Sequence, residues 1–159
     1  MAMLTSFPGA SGKRVPPDPD FERRVRLSFD RQGAMRLIGA RLGRLGPGYC
    51  CVELPYRDDL TQQHGYIHAG IVGAIADSAG GYAGFTLFPA DASVLTVEYK
   101  LNLIAPAVGE RLIAEAGIVK SGTTLAITRG EVYAERAGKR TLCAIMQQTL
   151  MVMAGTPDR

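Results

Sequence analysis

The chain has 159 residues, of which 47% are hydrophobic and 21% are charged. This length predicts a single domain, and this composition excludes a disordered or collagen-like chain. The net charge of +3 is too small to indicate nucleic-acid binding. The three cysteines are odd in number and lack Cys-x-x-Cys spacing, so we expect neither a disulfide framework nor a zinc site. Together they favour a reducing, cytoplasmic location. We also expect no other metal and no cofactor.

The N-terminal part of the chain divides into a leader and a helical segment. Residues 1–20 are rich in Pro, Gly, Ser and Asp and predict a flexible leader without a targeting sequence. A helix is predicted from Phe21, because Phe21, Val25 and Phe29 repeat at helical spacing. Between residues 23 and 44 there are seven arginines and one acid. This charge indicates either a solvated helix face or a surface that attracts phosphate groups.

The remainder of the chain predicts strands on both sides of one long helix. Glycines between residues 43 and 48 mark turns before a strand, and a polar loop precedes the helix. Four later runs rich in Val, Ile, Leu and Thr predict an antiparallel meander and therefore an α+β fold. The predicted segments are a strand at Tyr49–Tyr56, the loop Arg57–Gly65, a helix from His68 to about Thr86, and strands at Ser93–Ile104, Arg111–Ser121, Thr124–Glu135 and Arg140–Met153.

The central helix contains an unusual number of glycines. Each glycine inside a helix costs about 0.5–1 kcal/mol relative to alanine, so several together need a structural reason. At helical spacing they share one stripe, which would let a backbone or a flat ligand come close. The stripe consists of Gly70, Gly73, Ala74, Asp77, Gly80, Gly81 and Gly84.

Asp77 lies in the middle of this stripe and has no cationic residue three or four positions away. A carboxylate on such an apolar helix is costly to bury. One interpretation is that Asp77 hydrogen-bonds to a neighbouring turn or element. The other is that it acts as a general base or a nucleophile beside a cleft.

Both histidines of the chain lie just before this helix, at His64 and His68. Their spacing is typical of a metal pair on a helix, but Gly65 and the polar run predict a loop, and no third ligand follows. His68 would instead fix the start of the helix by side-chain hydrogen bonds. The backbone N–H groups of Ala69 and Gly70 would then be free to stabilise an oxyanion.

These residues resemble a known family. The chain resembles the hotdog-fold thioesterases of the phenylacetic-acid-pathway (PaaI-like) type in three features. These are the run His68-Ala69-Gly70, Asp77 nine residues after the histidine, and a strand from Val94 that ends in a Pro106-Ala-Val-Gly-Glu110 turn. The family typically has His-Gly-Gly at this run, so Ala69 replaces the first glycine. Alanine retains the backbone N–H that the family uses there. The resemblance covers residues 21–153 and leaves a tail at 154–159.

The resemblance implies a hotdog fold, in which an antiparallel sheet wraps around the central helix. It implies a homodimer or homotetramer with the active sites between chains, and hydrolysis of acyl-CoA thioesters. Asp77 would match the catalytic carboxylate and Ala69 the oxyanion donor. Gln62 falls near the position of the attacking water, and Thr96 falls close to the carboxylate.

The binding of the substrate is open to several interpretations. Tyr82 and Phe85 could line the acyl pocket, although each could also be a core residue. Lys120 and Arg129 are among the cations that could hold the phosphates of coenzyme A. We expect neither nucleic acid nor a membrane as a partner.

Three other functions fit the same residues. A hotdog hydratase acting on enoyl or hydroxyacyl thioesters would use His68 and Asp77 as an acid–base pair. A non-catalytic module would bind acyl-CoA without turnover. A purely structural, oligomerising domain is disfavoured, because alanine would pack at position 77 at lower cost than aspartate.

Overall fold

The structure, a computed structural model, describes residues 14–158. It contains three α-helices, a short 3-10 helix at Asp58–Leu60, and six strands. The helices are α1 (Phe21–Arg31), α2 (Gly33–Ile38) and α3 (Ala69–Phe85). The strands are β1 (Arg41–Gly46), β2 (Tyr49–Pro55), β3 (Ser93–Leu103), β4 (Arg111–Ser121), β5 (Leu125–Arg136) and β6 (Lys139–Met153).

The six strands form one antiparallel sheet in the order β1-β2-β4-β5-β6-β3. Tight turns join the paired strands β1 and β2, β4 and β5, and β5 and β6, whereas α3 carries the chain from β2 across the sheet to β3 at the opposite edge. The chain then returns to β4 beside β2, so β3 does not pair with β4 and the predicted four-strand meander is limited to β4, β5 and β6. β6 therefore pairs with β3 on one side and β5 on the other. This strand order places Thr96 of β3 beside Gln148 of β6, although the two are 52 residues apart in sequence.

Helix α3 packs against one face of the sheet and contacts β2, β3, β4, β5 and β6. Its glycines allow this close approach. A Cβ atom at Gly80 would overlap Gln148 Oε1, and one at Gly84 would overlap Leu150 Cδ1. The antiparallel sheet around a long central helix is the predicted α+β arrangement, and α3 lies within one residue of its predicted ends.

Helix α1 buries the face that its periodicity predicted, with Val25 and Phe29 in the core. The helix ends at Arg31, two residues before the predicted break at Gly33, because Gln32 has an extended ψ of 103°. Arg24, on the neighbouring face of α1, donates to the carbonyls at the end of α3. Its guanidinium contacts the carbonyl oxygens of Phe85, Phe88 and Pro89 at 2.6–3.2 Å.

One sequence expectation changes in the segment before β2. The glycine-containing segment predicted as turns forms β1, and only positions 47 and 48 form the turn to β2. The predicted leader lies largely outside the described residues, since description begins at residue 14. The predicted tail is described to residue 158, and Asp158 pairs with Arg31 of α1. None of the helices within residues 14–158 has the length and hydropathy of a membrane span.

Candidate active site

Asp77 projects from the middle of α3 into a cleft of about 520 Å³. Four elements line this cleft, namely α1, α2, α3 and the first residues of β3, together with Asp158 near the C-terminus. The side chain is partly buried, unlike its fully buried helix neighbours Ala76 and Ser78. The lining residues are Ser28, Arg31, Gln32, Ala34, Met35, Ala74, Asp77, Ser78, Gly81, Tyr82, Val94, Leu95, Thr96 and Asp158.

Two donors from neighbouring strands hold the Asp77 carboxylate. Thr96 Oγ1 on β3 donates to Asp77 Oδ1 at 2.7 Å, and Gln148 Nε2 on β6 donates to the same oxygen at 2.5 Å. Among the described residues, Asp77 Oδ2 has no hydrogen-bond partner. The carboxylate is therefore oriented through one oxygen, while the other remains able to accept a proton or attack a carbon.

Gln148 is itself fixed by the sheet. It is 1% exposed, and its Oε1 accepts a hydrogen bond of 2.9 Å from Thr128 Oγ1 on β5. Gln148 Nε2 also lies 3.0 Å from Thr96 Oγ1. Because buried amides require partners on both ends, this chain of hydrogen bonds determines which end of Gln148 faces Asp77. The absence of a side chain at Gly80 provides the room for this amide.

The start of α3 is capped by His68. Its Nδ1 accepts a hydrogen bond of 2.9 Å from the N–H of Gly70, as the sequence predicted for a residue that fixes the helix start. The Gly70 N–H is therefore occupied, which corrects the expectation that both amides are free. The Ala69 N–H has no partner among the described residues and is the available donor at this helix terminus.

Gln62 lies in the loop before α3 and is folded back on that loop. Its Oε1 accepts a hydrogen bond from the N–H of His64, and its own N–H donates to the carbonyl of Tyr66 at 2.8 Å. Gln62, His68 and Ala69 do not line the cleft around Asp77 within one chain. Asp77 is eight residues beyond Ala69 on α3, which corresponds to about 12 Å along the helix axis.

The residues predicted to bind substrate fall in different places. Tyr82 lines the cleft with its hydroxyl hydrogen-bonded to Ser28 and Gln32. Phe85 is fully buried against Tyr82 and Phe88 and does not line the cleft, which corrects its expected role to that of a core residue.

The two predicted phosphate-binding cations also lie outside the cleft. Arg129 is ion-paired with Glu131 at 2.9 Å. Its neighbour Thr128 faces α3 and contacts Gln148, and successive residues of a strand point to opposite faces, so Arg129 lies on the sheet face away from α3. Lys120 is exposed near the end of β4. Within one chain, the structure does not bring either cation to Asp77.

The sequence reasoning missed Gln148, Thr128 and the polar residues Ser28, Gln32 and Ser78. One signal was available for Gln148. It follows Ala144 and Met146 at alternate positions of β6, so period two places a polar amide on the face that is otherwise apolar. A polar residue on a buried strand face indicates a partner in the core or a site.

The three cysteines do not supply a nucleophile. Cys50, Cys51 and Cys143 are buried and unpaired. Burial raises the pKa of the Cys51 and Cys143 thiols to about 11 and raises that of Cys50 as well. Since the thiolate is the reactive form, these side chains are inert at neutral pH.

Comparison with known proteins shows the family of the chain. A sequence model of the thioesterase superfamily matches residues 64–141, which include the helix start and Asp77. A Halobacterium salinarum protein whose name proposes an esterase is 30% identical over 108 residues, covering 65% of this chain and 71% of that protein.

Solved structures share the fold. The crystal structure of a thioesterase family protein from Silicibacter pomeroyi superimposes with a TM-score of 0.83 at 47% identity, covering 85% of this chain and 99% of that chain. The PaaI protein of E. coli, from the phenylacetic acid degradation operon, superimposes with a TM-score of 0.78 at 14% identity, covering 87% and 96%. Family membership supports thioester hydrolysis as the general activity. The chain belongs to the thioesterase superfamily and has its hotdog fold.

Proposed function

We propose that this protein is an acyl-CoA thioesterase that hydrolyses a thioester to a free acid and coenzyme A, with Asp77 as general base or nucleophile. The observation that carries the proposal is the orientation of the carboxylate. Thr96 and Gln148 both donate to Oδ1, so Oδ2 keeps its lone pairs for a water molecule or the thioester carbon. A thioester is an activated acyl group, and this reaction requires only a base and a donor for the oxyanion.

The proposed oxyanion donor is the backbone N–H of Ala69. It lies at the N-terminus of a 17-residue helix, where the helix dipole adds positive potential. His68 supports this role by holding the preceding turn and the Gly70 N–H. Gln62, whose loop flanks the same terminus, is proposed to lie near the attacking water.

A single chain does not complete this site. The base and the oxyanion donor must both reach one carbonyl group, but Ala69 and Asp77 are about 12 Å apart on one straight helix. We therefore infer that Asp77 of one chain works with Ala69 of a second copy. This arrangement also agrees with the position of Gln62 and His68 outside the cleft of their own chain.

Strand β3 provides a surface for that second copy. It is the edge strand of the sheet and carries exposed apolar side chains, with Leu95, Val97 and Tyr99 between 46% and 56% exposed. An exposed apolar edge strand pairs readily with another strand. We propose a homodimer formed edge to edge through β3, with tetramers as pairs of such dimers.

The coenzyme A portion of the substrate would lie outside the acyl cleft. Lys120, Arg129 and the exposed arginines of residues 23–44 remain the proposed cations for its phosphates. The unpaired cysteines support a reducing, cytoplasmic compartment for the reaction. We propose neither nucleic acid nor a membrane as a partner.

The direct test is release of free thiol from a panel of short, long and aromatic acyl-CoAs, with wild type, Asp77→Asn and Asp91→Asn in parallel. Asp91 is exposed in the loop before β3 and provides a matched control. We expect turnover by the wild type and the control, and a loss of about a hundredfold or more in Asp77→Asn, the scale of a missing catalytic base. Acyl-CoA binding without thiol release would instead favour the non-catalytic module or the hydratase.

A further inference from the structure

A cluster of polar side chains forms one wall of the cleft beyond Asp77. Ser28 of α1 and Tyr82 of α3 are hydrogen-bonded at 3.0 Å, Gln32 Nε2 donates to the Tyr82 hydroxyl at 2.9 Å, and Ser78 Oγ donates to Gln32 Oε1 at 3.2 Å. Ser28, Ser78 and Tyr82 are each at most 8% exposed. All four side chains line the cleft, and the catalytic proposal uses none of them.

The cluster has more donor hydrogens than it can satisfy internally. Each of the three hydroxyl groups has one hydrogen, and the Gln32 amide has two. Three hydrogen bonds connect the four side chains. Whichever way the Ser28–Tyr82 bond points, one hydroxyl hydrogen and one amide hydrogen have no acceptor among the described residues. Ser28, Ser78 and Tyr82 are buried and Gln32 is partly exposed, so a ligand that fills the cleft covers these donors and must offer them an acceptor. The cleft therefore has a place for an oxygen atom at this wall.

The position of the cluster relates it to the acyl chain. Ser78 and Tyr82 follow Asp77 on α3 by one and five residues, which corresponds to about 1.5 and about 7.5 Å along the helix. A carbonyl carbon beside Asp77 would therefore place the distal part of its acyl group against these side chains. The opposite wall is apolar, with Met35, Val94 and Leu95.

The charge of the cleft excludes an anionic acyl group. Its charged lining residues are Asp77, Asp158 and Arg31, and Arg31 is paired with Asp158 at 2.5 Å. The uncompensated charge is therefore that of Asp77, which repels a second carboxylate. The group that satisfies the free donors must be a neutral oxygen.

We propose that the natural substrate carries a neutral oxygen, a keto or hydroxyl group, on the distal part of its acyl chain, and that the Ser28–Gln32–Ser78–Tyr82 cluster binds it. This inference rests on the proposed thioesterase activity and specifies its substrate class. A plain fatty acyl chain of equal length would cover the two donors without offering them an acceptor, and that penalty lowers its kcat/KM.

The test compares matched thioesters: 5-oxohexanoyl-CoA with hexanoyl-CoA, and 7-oxooctanoyl-CoA with octanoyl-CoA. For at least one length, we expect a kcat/KM about tenfold or more higher for the oxo substrate, the scale of one neutral hydrogen bond. In Ser28→Ala/Gln32→Leu this preference should fall to about twofold or less. The single variant Gln32→Leu, at a partly exposed position, serves if the double variant does not fold.

The control applies the same two changes elsewhere. Ser121→Ala/Gln147→Leu alters exposed residues of β4 and β6 and should retain the wild-type preference. Equal kcat/KM values for oxo and plain substrates in the wild type would overturn the inference and leave the thioesterase proposal intact. A preference that persists in the cluster variants would overturn it as well.

Binding to Asp77→Asn, measured by calorimetry with the same thioesters, separates the two proposals. Suppose that the wild type hydrolyses none of these thioesters, but the oxo compounds bind about tenfold more tightly than the plain ones. The thioesterase proposal is then refuted, while the assignment of an oxygen-bearing acyl group to the cluster stands. If the paired compounds bind equally, or none binds, the inference fails.

Discussion

The carboxylate of Asp77 is positioned by hydrogen bonds from β3 and β6, and Gln148 makes the more deeply buried of the two contacts. Its amide connects Asp77 to Thr128, so three elements share one oriented chain of donors and acceptors. Gln148 does not need to touch the substrate to affect the reaction, and we regard it as a positioning residue.

Replacing Gln148 by leucine keeps the volume of the side chain but removes the donor to the carboxylate. We expect kcat/KM to fall by about tenfold to a hundredfold, the scale of one hydrogen bond to a charged group. Gln147→Leu, which alters the exposed neighbour on the other face of β6, is the control. An unchanged kcat/KM in Gln148→Leu would contradict the positioning role.

Ala69 permits a test of a backbone donor by substitution. It is the first residue of α3, where proline is well tolerated, and His68 has the extended conformation (φ −60°, ψ 138°) that suits a residue before proline. Ala69→Pro should therefore fold with a near wild-type melting temperature while lacking the N–H. We expect a loss of about a hundredfold to a thousandfold in kcat. Ala69→Gly, which keeps the N–H, should stay within a few-fold of wild type, and full activity in Ala69→Pro would exclude this amide as the oxyanion donor.

At the scale of elements, Arg24 fixes the end of the helix that carries the site. Its guanidinium contacts the carbonyl oxygens of Phe85, Phe88 and Pro89, stacks over the Phe85 ring at 4.3 Å and pairs with Asp18 at 3.0 Å. Burial lowers the pKa of Arg24, but the neighbouring carboxylate and carbonyls favour its charged form. One arginine of the basic segment thus has a structural role.

Arg24→Met should lower the free energy of unfolding by about 2–3 kcal/mol, because it removes charge-assisted hydrogen bonds and leaves Asp18 buried without its cation. Urea denaturation followed by circular dichroism measures this change. Arg23→Met provides the matched control, since Arg23 is exposed on the same helix. Equal effects of the two substitutions would show that the contacts at the end of α3 contribute little.

Sequence patterns predicted the elements whose signals are local. Helix α3 followed from a run rich in Ala and Gly that begins at His68 after a polar loop. The β4 to β6 meander followed from runs rich in Val, Ile, Leu and Thr between short turn signals. The position of strand β1 was not identified, because Gly43 and Gly46 resemble turn residues and the sequence left open whether one or two strands precede α3. Gly43 lies against Cys51, where a larger residue would be crowded. The contact of Gln148 with Asp77 depends on the order of strands in the sheet, which no local pattern contains.

For the whole molecule, the decisive question is how two halves of a site separated along one helix come together. The cleft with Asp77 and the helix terminus with Ala69 are both accessible in one chain, and the apolar edge of β3 lies beside Thr96, the donor to Asp77. Pairing two copies through β3 is an isologous contact, so it would generate two equivalent sites per dimer.

This arrangement predicts complementation between two inactive variants. In a co-expressed, equimolar mixture of Asp77→Asn and Ala69→Pro, about a quarter of all sites would combine an intact Asp77 with an intact Ala69 N–H from the other chain, whether or not dimers pair further. Thiol release should therefore recover to about a quarter of the wild-type rate. If both groups acted within one chain, every site in the mixture would be defective, and the activity would remain at the level of the separate variants. The mixture thus distinguishes a site shared between two chains from a site within one chain, and any thioester that the wild type hydrolyses can be used as the substrate.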